Sequence, residues 1–232
     1  MEVIRPKVTI VDRFDPEAII KKLELSARKC WQSEPKDQPA SVFLRNIIKR
    51  GHTSVLEHVS LTFDIICDRG VSHELVRHRI ASYSQESTRY VKYNNNMQFI
   101  EPIDLYQNEL LYDIWYNECE HSEDTYRKMM ELGAKAQEAR SILNNSLKTE
   151  VRMTINIRSL RNFFDLRCDK AAHPHMKEIA IPMLLTMKTY LPGLFDDIGY
   201  DEEFFKNYLD TNDYDYNKTV KFEHMPSNYY AK

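Results

Sequence analysis

A chain of 232 residues with 42% hydrophobic and 29% charged positions is long enough to bury a sizeable core, as one domain or at most two. Its formal charge of −3 argues against a general nucleic-acid binder, which would be basic overall. No apolar run approaches a membrane span and no signal-peptide core is apparent, while Cys30, Cys67, Cys119 and Cys168 lack CxxC spacing; the expectation is a cytoplasmic protein with reduced thiols.

In chain order, Lys7-Val8-Thr9-Ile10-Val11 predicts a first strand. Pro16 opens a helix with Ile19, Ile20 and Leu23 at helical spacing, and a second helix runs from about Pro39 to Arg50 and stops at Gly51. Val59 to Cys67 alternates as a strand, with Val59, Leu61, Phe63 and Ile65 on one face. A short helix follows from Val71 to about Arg79. Asp104 to Asn145 reads as two helices broken near Gly133, Val151 to Ile157 as a strand, and Ser159 to about Leu166 as a helix. A last long helix runs from His175 towards Tyr190 and is stopped by Pro192-Gly193. The acidic, tyrosine-rich stretch 200–232 predicts a loosely docked tail. The fold class expected is α+β, one domain spanning 1–232, with a central, mostly antiparallel sheet flanked by long helices.

Chemistry concentrates at three joints of this layout. The densest is Arg77-His78-Arg79-Ile80-Ala81-Ser82-Tyr83-Ser84-Gln85-Glu86-Ser87-Thr88-Arg89-Tyr90, whose cations are arginines and never lysine. Planar guanidinium forks hold phosphate and carboxylate at two points, so the run predicts a site for an anionic ligand. Five glycines and no Rossmann or P-loop pattern mean that a nucleotide must be held by side chains and helix ends. Consecutive Arg77, His78 and Arg79 on a helix would spread over about 200° and could not meet one small ligand from one face. Ser87 and Arg89, two apart, share a side in extended structure and make a phosphate cradle. The competing explanation is a surface salt-bridge network with Glu74 and Glu86.

The second joint, Gly51-His52-Thr53-Ser54-Val55-Leu56-Glu57-His58, offers His52 and Ser54 where a helix gives way to a strand; a helix-end histidine satisfying a carbonyl is the plainer account of His52, and His58 reads as structural. The third is Asn156 to Arg167. There Asn156 stands ready to cap a helix, Arg158 and Asn162 lie one turn apart on one face, and Leu160, Phe163 and Phe164 form the buried side. Arg167 ends the helix, where neutralising the helix dipole is its simplest role. His173-Pro174-His175 resembles a metal pair but has no partner set, so no metal is expected, and no serine-hydrolase elbow is present.

These residues together resemble a family. Arg77-His78-Arg79, seven residues, then Ser87-Thr88-Arg89 is similar to the signature of the flavin-dependent thymidylate synthases. Gly51-His52-Thr53-Ser54 with Glu57-His58, Ala139-Arg140, and Asn156-Ile157-Arg158-Ser159-Leu160 with Asn162-Phe163 and Leu166-Arg167 resemble further elements of that family, in order, over roughly residues 40 to 180. The resemblance implies reductive methylation of dUMP to dTMP, with methylenetetrahydrofolate as carbon donor, FAD as hydride carrier and NADPH as reductant, in a homotetramer whose active sites are shared between subunits. It also implies that His52, Ser54, Arg77, His78, Arg79, Gln85, Asn156, Arg158 and Asn162 hold FAD. Glu74, Arg77, Gln85, Glu86, Ser87, Arg89, Arg140 and Arg167 would hold dUMP, with Arg167 as the catalytic residue. Glu74 stands where the family often has glutamine, and Ser84-Gln85-Glu86 where Asn-Glu-x is common, which leaves open whether Gln85 or Glu86 takes the acid's role. An arginine against the uracil edge would stabilise negative charge developing on the ring, as an oxyanion hole does, whereas the classical alternative adds a cysteine thiolate. No cysteine here lies in a convincing nucleophile context, Cys168 being the nearest. The rival from another class is a non-catalytic nucleotide- or RNA-binding protein using the same arginines for phosphate.

Overall fold

The computed structural model describes residues 1–225 except 31, 36, 92, 94 and 95. Strands β1 (Glu2–Ile4) and β2 (Lys7–Arg13) lead into helices α1 (Pro16–Lys29) and α2 (Ala40–Lys49). Strand β3 (Ser60–Asp68), helix α3 (Arg69–Leu75), and strands β4 (Ala81–Gln85) and β5 (Gln98–Ile100) follow. The second half has α4 (Glu109–Glu131), α5 (Ala136–Ala139), β6 (Lys148–Asn156), α6 (Ile157–Arg167) and α7 (Pro174–Tyr190). It ends with α8 (Glu202–Phe204), β7 (Asp210–Thr211), β8 (Tyr214–Asp215) and β9 (Val220–His224).

Alternation builds the sheet. Leu61, Phe63 and Ile65 of β3 and Val151, Met153 and Ile155 of β6 are buried on one face, while Thr62, Asp64, Arg152 and Thr154 lie on the other, where Asp64 and Arg152 pair at 2.6 Å. The strand order is β4-β6-β3-β2-β9. β2 with β3, β3 with β6, and β4 with β6 are antiparallel, but β2 with β9 is parallel. The sheet is therefore mixed, a correction to the mostly antiparallel expectation: side-chain period identifies a strand and its faces but not the direction of its neighbour.

Helix α7 covers the apolar face and is buried nearly all round, through Met176, Ile179, Ala180, Ile181, Met183, Leu184 and Met187. Each of the Met, Ile and Leu side chains among them contributes about 1.5–3 kcal/mol by leaving water. Pro182 inside it withholds one backbone donor, and the Thr186 hydroxyl donates to the Pro182 carbonyl at 2.8 Å. A second, smaller apolar cluster of Met97, Phe99, Cys119, Tyr126, Ala139 and Leu147 lies beneath α4. Gly51 (φ 76°) and Gly133 (φ 94°) end their helices in the left-handed region, as expected of them. No helix among the described residues is long and apolar enough to cross a membrane.

The C-terminal stretch departs from expectation. Phe204, Leu209, Tyr214 and Val220 are buried and β9 forms an edge of the central sheet, so as far as residue 225 the chain is packed and not a loose tail. Its acidic groups serve as caps and ion pairs: Asp201 caps α8 and meets the Lys177 amine at 3.0 Å.

Candidate active site

Two short elements set the arginines in place. The Asp68 carboxylate at the end of β3 accepts from the Val71 N–H at 2.7 Å and so caps α3. Helix α3 ends at Leu75, not near Arg79 as periodicity predicts, and the chain turns before β4. The turn resolves the problem of three consecutive basic residues. Arg77 and Arg79 are exposed, while His78 between them is only 6% exposed.

β4, which the sequence leaves as a spacer, ties this turn down from below. The Tyr83 hydroxyl lies 2.9 Å from the carbonyls of both Leu75 and His78, and the Gln85 amide donates to Ser72 Oγ at 2.9 Å and Thr149 Oγ1 at 3.2 Å. Burial, against the pull of Arg79, pushes the Tyr83 phenol up to about 12, so it stays a donor at neutral pH. Tyr83 and Ser72 were not foreseen as supports; the inward alternation of Ala81, Tyr83 and Gln85 is the signal that could have found them.

Arg167 comes from the far end of α6. Its Nε donates to His78 Nε2 at 2.7 Å, and Nη1 donates to the Glu74 carboxylate at 2.7 Å. Nη2 lies 3.5 Å from the Glu74 carbonyl. Burial, and then the adjacent Arg167 cation, pull His78 down to about 4, so the imidazole is neutral at pH 7. Glu74 thus pairs with Arg167 of α6 and with no arginine of the run, so the salt-bridge network expected as the competing explanation does not form among the described residues. Glu86 is engaged as well, accepting from Lys148 Nζ at 3.1 Å and from the Tyr93 hydroxyl at 3.2 Å.

Arg140, at the end of α5, reaches the segment after β4, where Nη1 donates to Thr88 Oγ1 at 3.2 Å. The Ser87 hydroxyl accepts from the Arg89 N–H at 3.3 Å. Ser87, Arg89 and Arg140 are therefore brought to one turn. At the other end of α6 the Asn156 side-chain oxygen Oδ1 accepts from the Ser159 N–H at 2.9 Å, the cap the sequence anticipates. Arg158 pairs with Glu57 at 2.6 Å and so joins α6 to the short 3-10 helix Thr53–His58, beside His52 and Ser54. Asn162 is exposed.

The histidine pair behind α3 is structural. His175 sits between Asp68 (2.9 Å) and Asp104 (3.0 Å). Burial opposes its charge, but the bonds to Asp104 and Asp68 prevail and push it up to about 10. No cluster able to hold a metal ion occurs among the described residues. The thiols are poor nucleophiles where they are buried: burial raises Cys67 and Cys168 well above the usual thiol range and Cys119 to about 11.

Residues 9–193 match the family model described as Thymidylate synthase complementing protein. The chain is 37% identical over 195 residues to the flavin-dependent thymidylate synthase of Geobacter sulfurreducens, covering 80% of this chain and 83% of that one. It is 40% identical over 164 residues to the enzyme of that name from Pyrococcus horikoshii, covering 66% and 67%, and 35% identical over 180 residues to that from Clostridium tetani, covering 70% and 72%. These relatives give no support to a non-catalytic nucleotide- or RNA-binding protein. The chain belongs to the thymidylate synthase complementing protein family, that of the flavin-dependent thymidylate synthases.

Proposed function

We propose that the protein methylates dUMP to dTMP, taking the carbon from methylenetetrahydrofolate and the electrons from NADPH by way of FAD, with no cysteine adduct. The observation that carries this reading, beside family membership, is Arg167: a guanidinium fixed by His78 and Glu74 at the mouth of the arginine turn. A cation so held can stabilise negative charge on the uracil ring as C5 becomes nucleophilic, an effect worth about 3 kcal/mol for one well-placed donor. Ser87, Arg89 and Arg140 hold the nucleotide phosphate, in keeping with their shared turn.

The donor set suits a flavin dinucleotide. Arg152, Arg158 and Arg161 each meet a carboxylate, whereas Arg77 and Arg79 are exposed and form no ion pair among the described residues, as cations for a pyrophosphate should. Arg77 and Arg79 would bind it, aided by Arg158, Asn162, His52 and Ser54. The flavin, when bound, supplies the hydride chemistry; the chain supplies orientation and charge. The Gln85 amide acts through the Ser72 and Thr149 hydroxyls it holds, and Asn156 through the helix start it caps. Exposed Ile80 (74%), Tyr90 (77%) and Leu166 (53%) beside these cations suit burial between subunits, in keeping with sites shared in a homotetramer; the cytoplasm is the compartment that goes with this reading.

The purified protein should be yellow, bleach with NADPH without air, and recover its colour on adding dUMP and methylenetetrahydrofolate. A colourless protein that cannot be reconstituted with FAD would overturn this reading.

A further inference from the structure

Away from the arginine turn, helix α7 carries a carboxyl group with nowhere to place its charge. Glu178 is wholly buried, and neither carboxylate oxygen has a hydrogen-bond partner among the described residues. Its ion-pair partner among them is Arg5, in the connection between β1 and β2, with Nη1 3.8 Å from Oε1. That guanidinium is already engaged. Glu101 holds its Nη2 at 2.6 Å, and the rings of Tyr106 and Tyr214 flank it at 5.2 and 4.9 Å. One cation therefore stands between two carboxylates, and the outer one takes its hydrogen bond.

The remaining surroundings do not compensate Glu178. Tyr214 approaches from β8, but its hydroxyl sits 3.3 Å from Thr219 Oγ1, and burial raises it far above the usual phenol range, so it stays protonated. His175, one turn earlier in α7, is held by Asp68 and Asp104, and Glu101 also accepts from Tyr112 of α4 at 2.9 Å. With Glu178 neutral, Arg5 and His175 supply two positive charges against three negative ones from Glu101, Asp68 and Asp104. A further negative charge there, without a hydrogen bond, is strongly disfavoured. Burial accordingly raises Glu178 to about 7, against the pull of Arg5, the Tyr214 hydroxyl and His175.

Tyr214 ties this carboxyl to the C-terminal segment, which it anchors in the core together with buried Leu209 and Val220. Between the segment and the β1–β2 connection runs a cleft of about 380 Å³, lined by Arg5, Lys7, Asn212, Tyr214, Lys218 and Thr219, so water has a short path to Arg5. We propose that Glu178 is a proton-operated latch: while its carboxyl is neutral, Tyr214 rests on Arg5 and docks Asp210–His224, and when it ionises it draws Arg5 inward, admits water from the cleft and loosens the segment. Loosening frees the β2 edge that β9 covers. Because the docked carboxyl titrates near 7 and an exposed one near 4.5, the docked state keeps a proton that the open state releases. The latch is complete below pH 4.5 and is lost as pH rises through 7.

Hydrogen-exchange mass spectrometry on the full chain tests the latch, with each rate divided by that of the unstructured peptide at the same pH. Wild-type protection of Asp210–His224 should fall about tenfold or more between about pH 5 and 8, while that of α4 changes little. Glu178→Gln, which keeps the shape of the neutral acid, should hold its protection across that range. Wild-type protection of the segment that does not change with pH would overturn the proposal. So would a Glu178→Gln variant that keeps the wild-type pH dependence, since another group would then be titrating. If Glu178→Gln does not fold, infrared spectra of wild type labelled with carbon-13 glutamate decide. One carboxylic acid band, at the frequency of a carbonyl without hydrogen bonds, should vanish with a midpoint near pH 7. Absence of that band at about pH 5 to 6 would refute the assignment.

Discussion

What holds each arginine decides what it can do. Arg28, against Glu24 at 2.7 Å and over the Phe43 ring at 4.2 Å, is a buried structural cation, and Arg152 and Arg161 are bound by Asp64 and Asp197. The Arg89 guanidinium meets only the ring of its neighbour Tyr90, at 5.4 Å, among the contacts of described residues, which leaves its fork open to an anion. Arg89→Ala should therefore raise KM for dUMP about tenfold or more while flavin binding is unchanged; steady-state kinetics and an FAD titration check both halves. Cys168 is wholly buried next to Arg167. Its replacement by alanine should cost about 1 kcal/mol of stability in urea unfolding and leave dTMP formation in place, whereas complete loss of turnover in a folded variant would point to a thiol nucleophile.

At the scale of elements, α3 is a seven-residue helix carrying Glu74 and leading into His78, and it is too short to hold its own shape. Asp68 and His175 fix its start and Tyr83 its end. Asp68→Ala removes the cap and one partner of His175 together, so a loss of roughly 1–3 kcal/mol is expected in urea unfolding. His175 also gives a pH dependence. Its folded pKa, about 10, lies above the ordinary 6.5, so the folded state keeps a proton that the unfolded chain releases. Its contribution is complete below pH 6.5 and is lost as pH rises towards 10. Wild type should lose more stability over that interval than His175→Gln, measured by urea midpoints at both ends; equal losses would remove His175 as the cause. Helix ends were legible in the sequence where glycine or proline marks them, at Pro16, Gly51, Gly133 and Pro192, and β3 was legible from its alternation. β4 was not, because Ala-Ser-Tyr-Ser-Gln is weakly apolar and lies at the sheet edge. The arginines, too, stood out in the sequence. That Glu74 faces Arg167, 93 positions away, did not, since local spacing carries no information on such pairing.

For the whole molecule, the C-terminal segment closes the sheet and the arginine turn lies towards the opposite edge, at β4. β9 covers β2 in parallel register from Val8↔Val220 onward, and Phe222 packs on Phe14 with ring centres 5.0 Å apart. Truncation after Leu209 would uncover the β2 edge and remove buried Tyr214 and Val220. A loss of about 3 kcal/mol or more, or a fall in Tm of roughly 6–12 °C, is expected; an unchanged Tm would mean that the segment is loosely docked after all. The most direct test of the central claim is one anaerobic turnover of NADPH-reduced, FAD-loaded protein mixed with dUMP and methylenetetrahydrofolate, comparing wild type with Arg167→Ala. Wild type should reoxidise its flavin as dTMP forms, while Arg167→Ala keeps its flavin bound and reduced and makes no dTMP. Formation of dTMP by Arg167→Ala at the wild-type rate would contradict the account.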